Sequence, residues 1–177
     1  TPTPSHYKVA KAALQSRCHV FIEKPMAHKI IEAEEIVSLA NKNKVKLQIG
    51  HIERFNPAYR AFCKTLRKPL FIESHRLSPF NIRGSDVAVI LDLMIHDIDL
   101  VLDLVQDEVI NINASGTSVV SSFVDLANAR LTFNNGVVAN LTASRVSDKQ
   151  MRQLRIFEKN CYSALDLHVP AIKCLTV

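Results

Sequence analysis

The spacing of apolar residues changes along this chain, and the change limits the folds open to it. Up to Gly50, two short apolar runs, 19–22 and 46–50, alternate with stretches whose apolar residues recur every three or four positions. Such alternation of helix and strand with short connections predicts parallel strands joined by crossover helices. Beyond residue 109 the chain is rich in strand-forming residues, and Asn134-Asn135-Gly136 is a strong hairpin signal. We therefore predict two structural units, with a boundary near residues 50–56.

The same patterns give approximate bounds for the elements. Helices are predicted near 5–14, 30–41, 57–66 and 87–104, and strands near 20–22, 46–50, 70–77, 109–114, 122–133, 137–144, 153–157 and 164–167. Ser5 and Asp86 are the expected N-caps of the first and last helices. Parallel α/β elements thus come first, and an antiparallel sheet with one long helix follows.

Composition narrows the classes of function. A chain of 177 residues with 47% hydrophobic content is long enough to bury a core, and it contains neither a membrane-spanning run nor a signal peptide. Its net charge of +5 is scattered, which is typical of a solvated basic surface but also suits anionic ligands such as nucleotides. The four cysteines lack metal-binding spacing, so we expect free thiols in a cytoplasmic protein. We expect neither nucleic acid nor a membrane as a partner.

Lys24 stands at the exit of a buried strand. Glu23-Lys24-Pro25 directly follows the apolar run 19–22. In open α/β sheets, ligands bind outside the carboxyl ends of the strands. Pro25 restricts the backbone before it to extended conformations, so the lysine would reach a ligand crevice in a fixed direction. An exposed loop lysine before a turn proline is the alternative reading.

A narrow polar stripe runs along the predicted long helix. Asp92, His96, Asp99 and Asp103 follow a spacing of i, i+4, i+7 and i+11 in an otherwise apolar segment. The stripe contains no Lys, Arg or Glu, the usual residues of a solvated face. It therefore favours a cleft, in which a neighbouring carboxylate would support His96 as a base near neutral pH. A stripe facing bulk water stays the alternative.

The segment after the second strand and the approach to the long helix supply further polar candidates. Arg54 and Asn56 follow a strand's carboxyl end and are candidate ligand contacts, although a connecting loop with an ordinary salt bridge is equally compatible. Arg76 and Arg83 flank the approach to the long helix, and arginine suits pyrophosphate through its planar fork.

These motifs together resemble the Gfo/Idh/MocA family of NAD(P)-dependent oxidoreductases. The resemblance rests on the 19–25 segment ending in Glu23-Lys24-Pro25, on Gly50-His51 with the segment 54–57, and on Asp92-x-x-x-His96. It implies the C-terminal part of a Rossmann-type parallel domain in residues 1–52. An α+β domain with an open, mainly antiparallel sheet is then expected in residues 53–177.

The resemblance also implies roles for particular residues. Lys24, His96 and Asp92 would be catalytic, with His96 as acid/base; Glu23, Lys24 and Pro25 would contact NAD or NADP; and Arg54, Asn56, Arg83 and Asp92 would contact substrate. No metal is implied, and the Lys24–Pro25 bond is expected to be cis. Asp86-Val87-Ala88 and Met94 stand where many members have glycine, which favours the sugar-nucleotide members of the family.

One part of the cofactor site has no counterpart in the sequence. Four glycines in 177 residues leave no G-x-G-x-x-G loop for the pyrophosphate. We therefore interpret the chain as an internal fragment of a dehydrogenase that transfers a hydride between a hydroxyl of a sugar or nucleotide sugar and a nicotinamide cofactor. We expect residues 1–177 to be inactive by themselves.

Two other functions stay open at this stage, together with an expectation about assembly. His96-Asp97 resembles the doublet of metal-dependent phosphohydrolases, although that class is nearly all helical, and a non-catalytic relative is the second alternative. Apolar residues on both faces of the strands near 122–144 predict an exposed apolar sheet face, which a homo-oligomer would bury.

Overall fold

The computed structural model describes residues 2–81 and 87–176. The chain forms two compact units, residues 1–51 and 52–177. Asp86, the predicted N-cap of the long helix, and Arg83 lie outside the described residues.

The first unit contains a two-stranded parallel sheet and two helices. Its elements are α1 (Thr3–Gln15), β1 (Val20–Glu23), α2 (Ile30–Asn43) and β2 (Leu47–Gly50). The strands pair in parallel from Val20 opposite Leu47 to Glu23 opposite Gly50, so their carboxyl ends meet at one edge. The buried core of this unit consists of Ala10, Leu14, Ile22, Ile36 and Ala40. Apolar residues of α1, β1 and α2 thus pack together in one small core.

The start of α1 differs from the sequence-based prediction. The helix begins at Thr3 with Pro2 as its N-cap, and the Ser5 N–H donates to the Pro2 carbonyl oxygen at 2.9 Å. Ser5 is therefore inside the first turn, and its prediction as N-cap is wrong. Pro4 explains the difference, because a proline fits the first turn of a helix, where a backbone N–H has no intrahelical partner.

The second unit is a seven-stranded mixed sheet with helices. Its elements are a 3₁₀ turn (Ile52–Phe55), α3 (Pro57–Cys63), β3 (Pro69–Leu77), a π-helical segment (Ile90–Met94), α4 (Ile95–Val105), β4 (Val109–Thr117), β5 (Leu126–Phe133), β6 (Val138–Ser144), β7 (Met151–Glu158), β8 (Cys161–Asp166) and β9 (Ala171–Thr176). The strand order is β4-β5-β6-β3-β7-β8-β9. Only the β3–β6 pairing is parallel among the strand pairs described for this sheet. The α/β fold with an open, mainly antiparallel sheet is confirmed.

The core of the second unit lies between α4 and one face of the sheet. Helix α4 contacts β3 and β6. Its fully buried Leu100 and Val101 join a cluster with Ile72, Leu141 and Ile156 from the central strands. This packing turns one face of α4 towards the sheet. The polar residues of the stripe lie outside that buried face.

The strands near the edges of the sheet differ from their predicted bounds. Strand β5 begins at Leu126 rather than at residue 122, because the Asp125 carboxylate accepts the backbone N–H groups of Val119, Val120 and Ser121 and folds that segment into a loop. Strand β9 was not predicted, and all six of its residues are exposed, so it lacks the alternation that marks a half-buried strand.

The outer face of the sheet is polar at its centre. Strand β5 alternates strictly, with Asn128 and Arg130 exposed and the residues between them buried. On β6, Asn140 and Thr142 lie beside them, and Arg130 donates to Asn140 at 3.2 Å. The expectation of a broad apolar outer face is therefore wrong: the apolar side chains of these strands point mainly into the core.

Candidate active site

The candidate residues of the first unit lie at the carboxyl end of β1. Glu23 is the last residue of the strand, Lys24 follows it half-buried, and Pro25 is buried. The Lys24–Pro25 peptide bond is cis, as expected. Lys24 thus leaves the sheet at the edge where β1 and β2 end together, which is where ligands of parallel sheets bind.

Two contacts define the backbone around Lys24. The Nδ1 atom of buried His6 lies 2.8 Å from the Pro25 carbonyl oxygen, and because a carbonyl only accepts, Nδ1 carries the proton. At the neighbouring strand end, a Cβ on Gly50 would lie 2.8 Å from Oε2 of Glu23. Gly50 therefore gives the Glu23 carboxylate its space. These residues form a polar strand end at the edge where parallel sheets bind ligands.

The candidate residues of the second unit lie on the long helix. Asp92 lies in the π-helical segment Ile90–Met94 and His96 lies in the first turn of α4, both half-buried. The Ile95 N–H donates to the Ile90 carbonyl, five residues back. Short π-helical turns inside α-helices are frequent at functional sites. The acid–histidine pair thus spans the junction between the π-helical segment, which carries Asp92, and the regular helix α4, which carries His96.

Arg54 binds the other half of the polar stripe. Its Nε and Nη2 donate to Asp99 at 2.7 and 2.8 Å, and its Nη1 donates to Asp103 at 2.7 Å. The Tyr59 hydroxyl also donates to Asp103, at 2.6 Å, and burial together with this bond raises the pKa of Tyr59 well above its usual range. Asp99 and Asp103 are therefore both bound by Arg54 within the second unit, whereas Asp92 and His96 lie nearer the start of the stripe.

Asp97 anchors the helix to the sheet. Arg76 on β3 donates to its carboxylate from Nε at 3.1 Å and from Nη2 at 2.8 Å, and donates from Nη1 to Glu53 at 2.9 Å. Arg76 and Asp97 are each 3% exposed. A ligand pyrophosphate, which the sequence offered as a partner for Arg76, has no access to so buried a guanidinium.

The remaining predicted contacts have mixed outcomes. Asn56 is the N-cap of α3: its Oδ1 accepts from the Ala58 N–H at 3.1 Å, and its Nδ2 donates to the Leu167 carbonyl at 2.9 Å. Substrate contact by Arg54, Asn56 and Arg83 stays a prediction. Lys24 belongs to the first unit, and Asp92 and His96 belong to the second.

Sequence reasoning did not identify His6 or the Asp97 anchor. Nothing local to His6 pairs it with a residue 19 positions away. Asp97 carried a usable signal, since it interrupts the apolar surface of the helix outside the polar stripe. An acid in such a position needs a buried cation.

The described ranges, 2–81 and 87–176, also bear on metal sites and membrane spans. In these ranges no cluster of three or more His, Cys, Asp or Glu side chains could hold a metal ion. No helix there is long and apolar enough to cross a membrane.

Comparison with protein families gives two matches along the chain. A family described as "Oxidoreductase family, NAD-binding Rossmann fold" (GFO_IDH_MocA) matches residues 1–51, and the "GFO/IDH/MocA C-terminal domain" matches residues 68–159. The two matches follow the division into structural units. Together they cover the strand end at Lys24 and the helix that carries Asp92 and His96.

Curated relatives include one with high similarity. The UDP-N-acetylglucosamine 3-dehydrogenase of Acidithiobacillus ferrooxidans is 41% identical over 167 residues, which cover 94% of this chain and 53% of the relative. The uncharacterized oxidoreductase YrbE of Bacillus subtilis is 31% identical over 161 residues, covering 82% of this chain and 47% of that protein. The chain thus spans about half the length of these relatives.

Solved structures share the fold. The crystal structure of the Acidithiobacillus ferrooxidans UDP-N-acetylglucosamine 3-dehydrogenase matches with a TM-score of 0.94 and 39% identity, covering 100% of this chain and 59% of that one. An inositol dehydrogenase homologue from Azotobacter vinelandii, complexed with NADH and myo-inositol, matches with a TM-score of 0.84 over 99% of this chain and 54% of that one. At 16% identity, the second likeness shows the fold alone.

Proposed function

Because this chain belongs to the Gfo/Idh/MocA family of oxidoreductases, we propose that the intact protein is an NAD(P)-dependent dehydrogenase acting on a secondary hydroxyl of a nucleotide sugar. The observation that carries this proposal is the presence of two features in one chain: Lys24 at the carboxyl end of a parallel strand, and the Asp92–His96 pair at the junction of the π-helical segment and α4.

Lys24 acts on the charge that develops on the substrate oxygen. NAD or NADP, when bound, supplies the acceptor for the hydride that leaves the hydroxyl-bearing carbon. Glu23, Lys24 and Pro25 would hold its nicotinamide end, since they occupy the strand end where dinucleotides bind parallel sheets. The Lys24 ammonium then stabilises the alkoxide as it forms, and the backbone behind it is fixed by the hydrogen bond from His6.

His96 moves the proton. As a neutral imidazole it accepts the hydroxyl proton while the carbon–oxygen double bond forms, and it returns that proton in the reverse direction. Asp92, one turn earlier on the same stripe, orients the substrate or the His96 ring. The oxidation therefore leaves one proton on the protein and one hydride on the nicotinamide ring.

The substrate class rests on a relative. The dehydrogenase that is 41% identical to this chain acts on UDP-N-acetylglucosamine according to its name, and the similar region covers 94% of this chain. A nucleotide sugar also agrees with the net charge of +5, because a basic protein attracts an anionic diphosphate. We propose that Arg54, Asn56 and Arg83 contribute to substrate binding. Arg54 also binds Asp99 and Asp103, and Asn56 also caps α3.

We propose that residues 1–177 alone neither bind NAD tightly nor turn over substrate. The four glycines of the sequence do not have the G-x-G-x-x-G spacing of a phosphate-binding loop, and such loops supply the backbone N–H groups that hold a pyrophosphate. Calorimetric titration of residues 1–177 is expected to show no binding at micromolar NAD. Micromolar affinity would contradict this part of the proposal.

The proposed setting is a cytoplasmic homo-oligomer without nucleic-acid or membrane partners. The four free thiols support a reducing compartment. The exposed Asn128 and Arg130 on the outer sheet face offer polar groups to a second copy through a two-fold axis. Light scattering of the intact protein measures this directly, and a monomer at micromolar concentration would contradict it.

The proposed reaction is tested by tracing the hydrogen that leaves the hydroxyl-bearing carbon of the substrate. The intact protein is incubated with NAD or NADP and UDP-N-acetylglucosamine deuterated at individual ring carbons. We expect cofactor reduction and deuterium in the reduced nicotinamide from one ring position only. Absence of cofactor reduction with every nucleotide sugar and both cofactors would contradict the proposal. A metal-dependent phosphohydrolase would instead release phosphate without reducing the cofactor.

A further inference from the structure

We infer that Arg76 is a positioning residue for the candidate acid/base: through Asp97 it sets the rotation of helix α4 about its own axis, and so the direction in which His96 points. The inference rests on the proposed function and adds to it a residue that does not contact substrate. Its basis is the buried cluster of Arg76, Asp97 and Glu53.

Arg76 is held on several sides. Its Nη2 and Nε engage Asp97, its Nη1 engages Glu53 at 2.9 Å, and Arg152 approaches the same Glu53 oxygen at 3.5 Å. Arg76 and Asp97 are 3% exposed and Glu53 is 8% exposed. A planar fork with several bonds in a closed environment has one orientation only. The carboxylate that it binds is therefore a fixed point on the helix.

Asp97 directly follows His96, so a fixed Asp97 fixes the peptide unit next to the candidate base. At 3.6 residues per turn, Asp97 and Asp99 lie roughly 200° apart around the helix. Arg76 therefore binds α4 on one side and Arg54 binds it, through Asp99, on the nearly opposite side. Two guanidinium groups on opposite sides prevent the helix from rolling.

The segment before His96 makes such an anchor necessary. The π-helical turn from Ile90 to Met94 has five-residue hydrogen bonding, and a helix that changes its winding also changes the rotational phase of the residues that follow. The chain enters this segment from Val87, whose carbonyl accepts from Arg145 Nη2 at 2.6 Å. Between Val87 and Asp97, the rotational phase of Asp92 and His96 therefore depends on how firmly Asp97 is held.

The test compares two double variants of the intact protein. Arg76→Met with Asp97→Leu removes both charges of the anchor, and replacing a buried ion pair by apolar residues is often tolerated. Glu53 then keeps its ion pair with Arg152, at 3.5 Å. The matched control, Arg155→Met with Glu73→Leu, removes an Arg–carboxylate pair 3.4 Å apart between the paired strands β7 and β3, with both side chains about one-third exposed. Arg76→Lys is the conservative third variant, which keeps the charge but loses the fork.

Two readouts distinguish positioning from stability. The first is the split between kcat and KM: displacing a reacting group by about 1 Å costs about 10²-fold, so we expect kcat to fall by about 10- to 100-fold while KM changes less than about 3-fold. The second is the ring resonance of His96 in isotope-labelled protein at fixed pH, assigned by its loss in His96→Gln. We expect it to shift in the anchor variants and to stay at the wild-type position in the control.

The outcomes separate this inference from the proposed function. A folded Arg76→Met/Asp97→Leu protein with wild-type kcat and an unshifted His96 resonance would overturn it. If the double variant fails to fold, the same two readouts on Arg76→Lys decide, with an unshifted resonance again overturning it. If the wild type reduces no cofactor, the proposed function fails, while the His96 resonance still tests whether Arg76 controls the orientation of this ring.

Discussion

His6 of α1 donates a hydrogen bond from Nδ1 to the carbonyl oxygen of Pro25, 2.8 Å away, and so connects the first helix to the residue after Lys24. His6 is 5% exposed and Pro25 is buried, so water cannot replace the bond. The position of Lys24 at the strand end therefore depends on a residue that no local motif connects with it.

Replacing His6 tests this dependence. His6→Phe leaves the Pro25 carbonyl buried without its donor, which is expected to lower the free energy of unfolding by about 1–3 kcal/mol. It should also lower kcat in the intact protein, because the backbone at Lys24 loses its support. His6→Asn is the control, since its amide nitrogen can donate from a position close to that of Nδ1. Equal losses in both variants would show that the volume of the ring, rather than the hydrogen bond, matters.

Replacing Arg54 separates its two possible roles. Arg54→Gln removes the fork that holds Asp99 and Asp103, and two carboxylates one turn apart then repel each other. We expect the free energy of unfolding to fall by about 1–2 kcal/mol, with KM for the nucleotide sugar nearly unchanged. Chemical denaturation and steady-state kinetics measure the two quantities. A rise in KM at unchanged stability would instead support the substrate contact that the sequence predicts.

Asp125 predicts a specific loss of stability in acid. The Ser121 hydroxyl and the backbone N–H groups of Val119, Val120 and Ser121 donate to its carboxylate at 2.6–2.9 Å and hold its pKa well below the usual range. An unfolded Asp has a pKa of about 3.9. The contribution of this group is thus fully present above about pH 5 and declines below it, because the unfolded state then binds the proton first.

The variant Asp125→Asn measures that contribution. Its melting temperature should lie below that of the wild type at pH 7, and the gap should narrow as the pH falls from 5 towards 2. Asp148→Asn, in the loop after β6, is a control for a general charge effect. A gap that stays constant with pH would contradict the assignment of a low pKa to Asp125.

Local sequence patterns predict which segments are buried helices and strands, but they miss side chains that capture the backbone. Strand β1 and helix α2 were predictable, because short apolar runs and helical spacing report burial directly. The segment before Leu126 was not, since its apolar residues favour a strand while the Asp125 carboxylate captures three backbone N–H groups. A single side chain thus outweighed the β propensity of several residues.

The candidate functional residues also fall into those that the sequence predicts and those that it does not. Lys24 and the Asp92–His96 pair could be named from the sequence, because their positions at a strand end and on one helix stripe follow from local spacing. The partners of Arg76 could not, since Asp97 and Glu53 lie 21 and 23 residues away and meet it only through packing. Long-range polar contacts of this kind leave at most an indirect trace, such as an acid on an apolar helix face.

The measurement that tests the account most directly is the steady-state turnover of Lys24→Ala and His96→Ala in the intact protein, with NAD or NADP and UDP-N-acetylglucosamine. Both side chains are proposed to act on charge that develops during the reaction, so kcat should fall more than substrate affinity. Loss of a general base typically costs about 10²- to 10⁴-fold, and we predict a decrease of that size for His96→Ala. Near-normal kcat in either variant would contradict the role assigned to that residue.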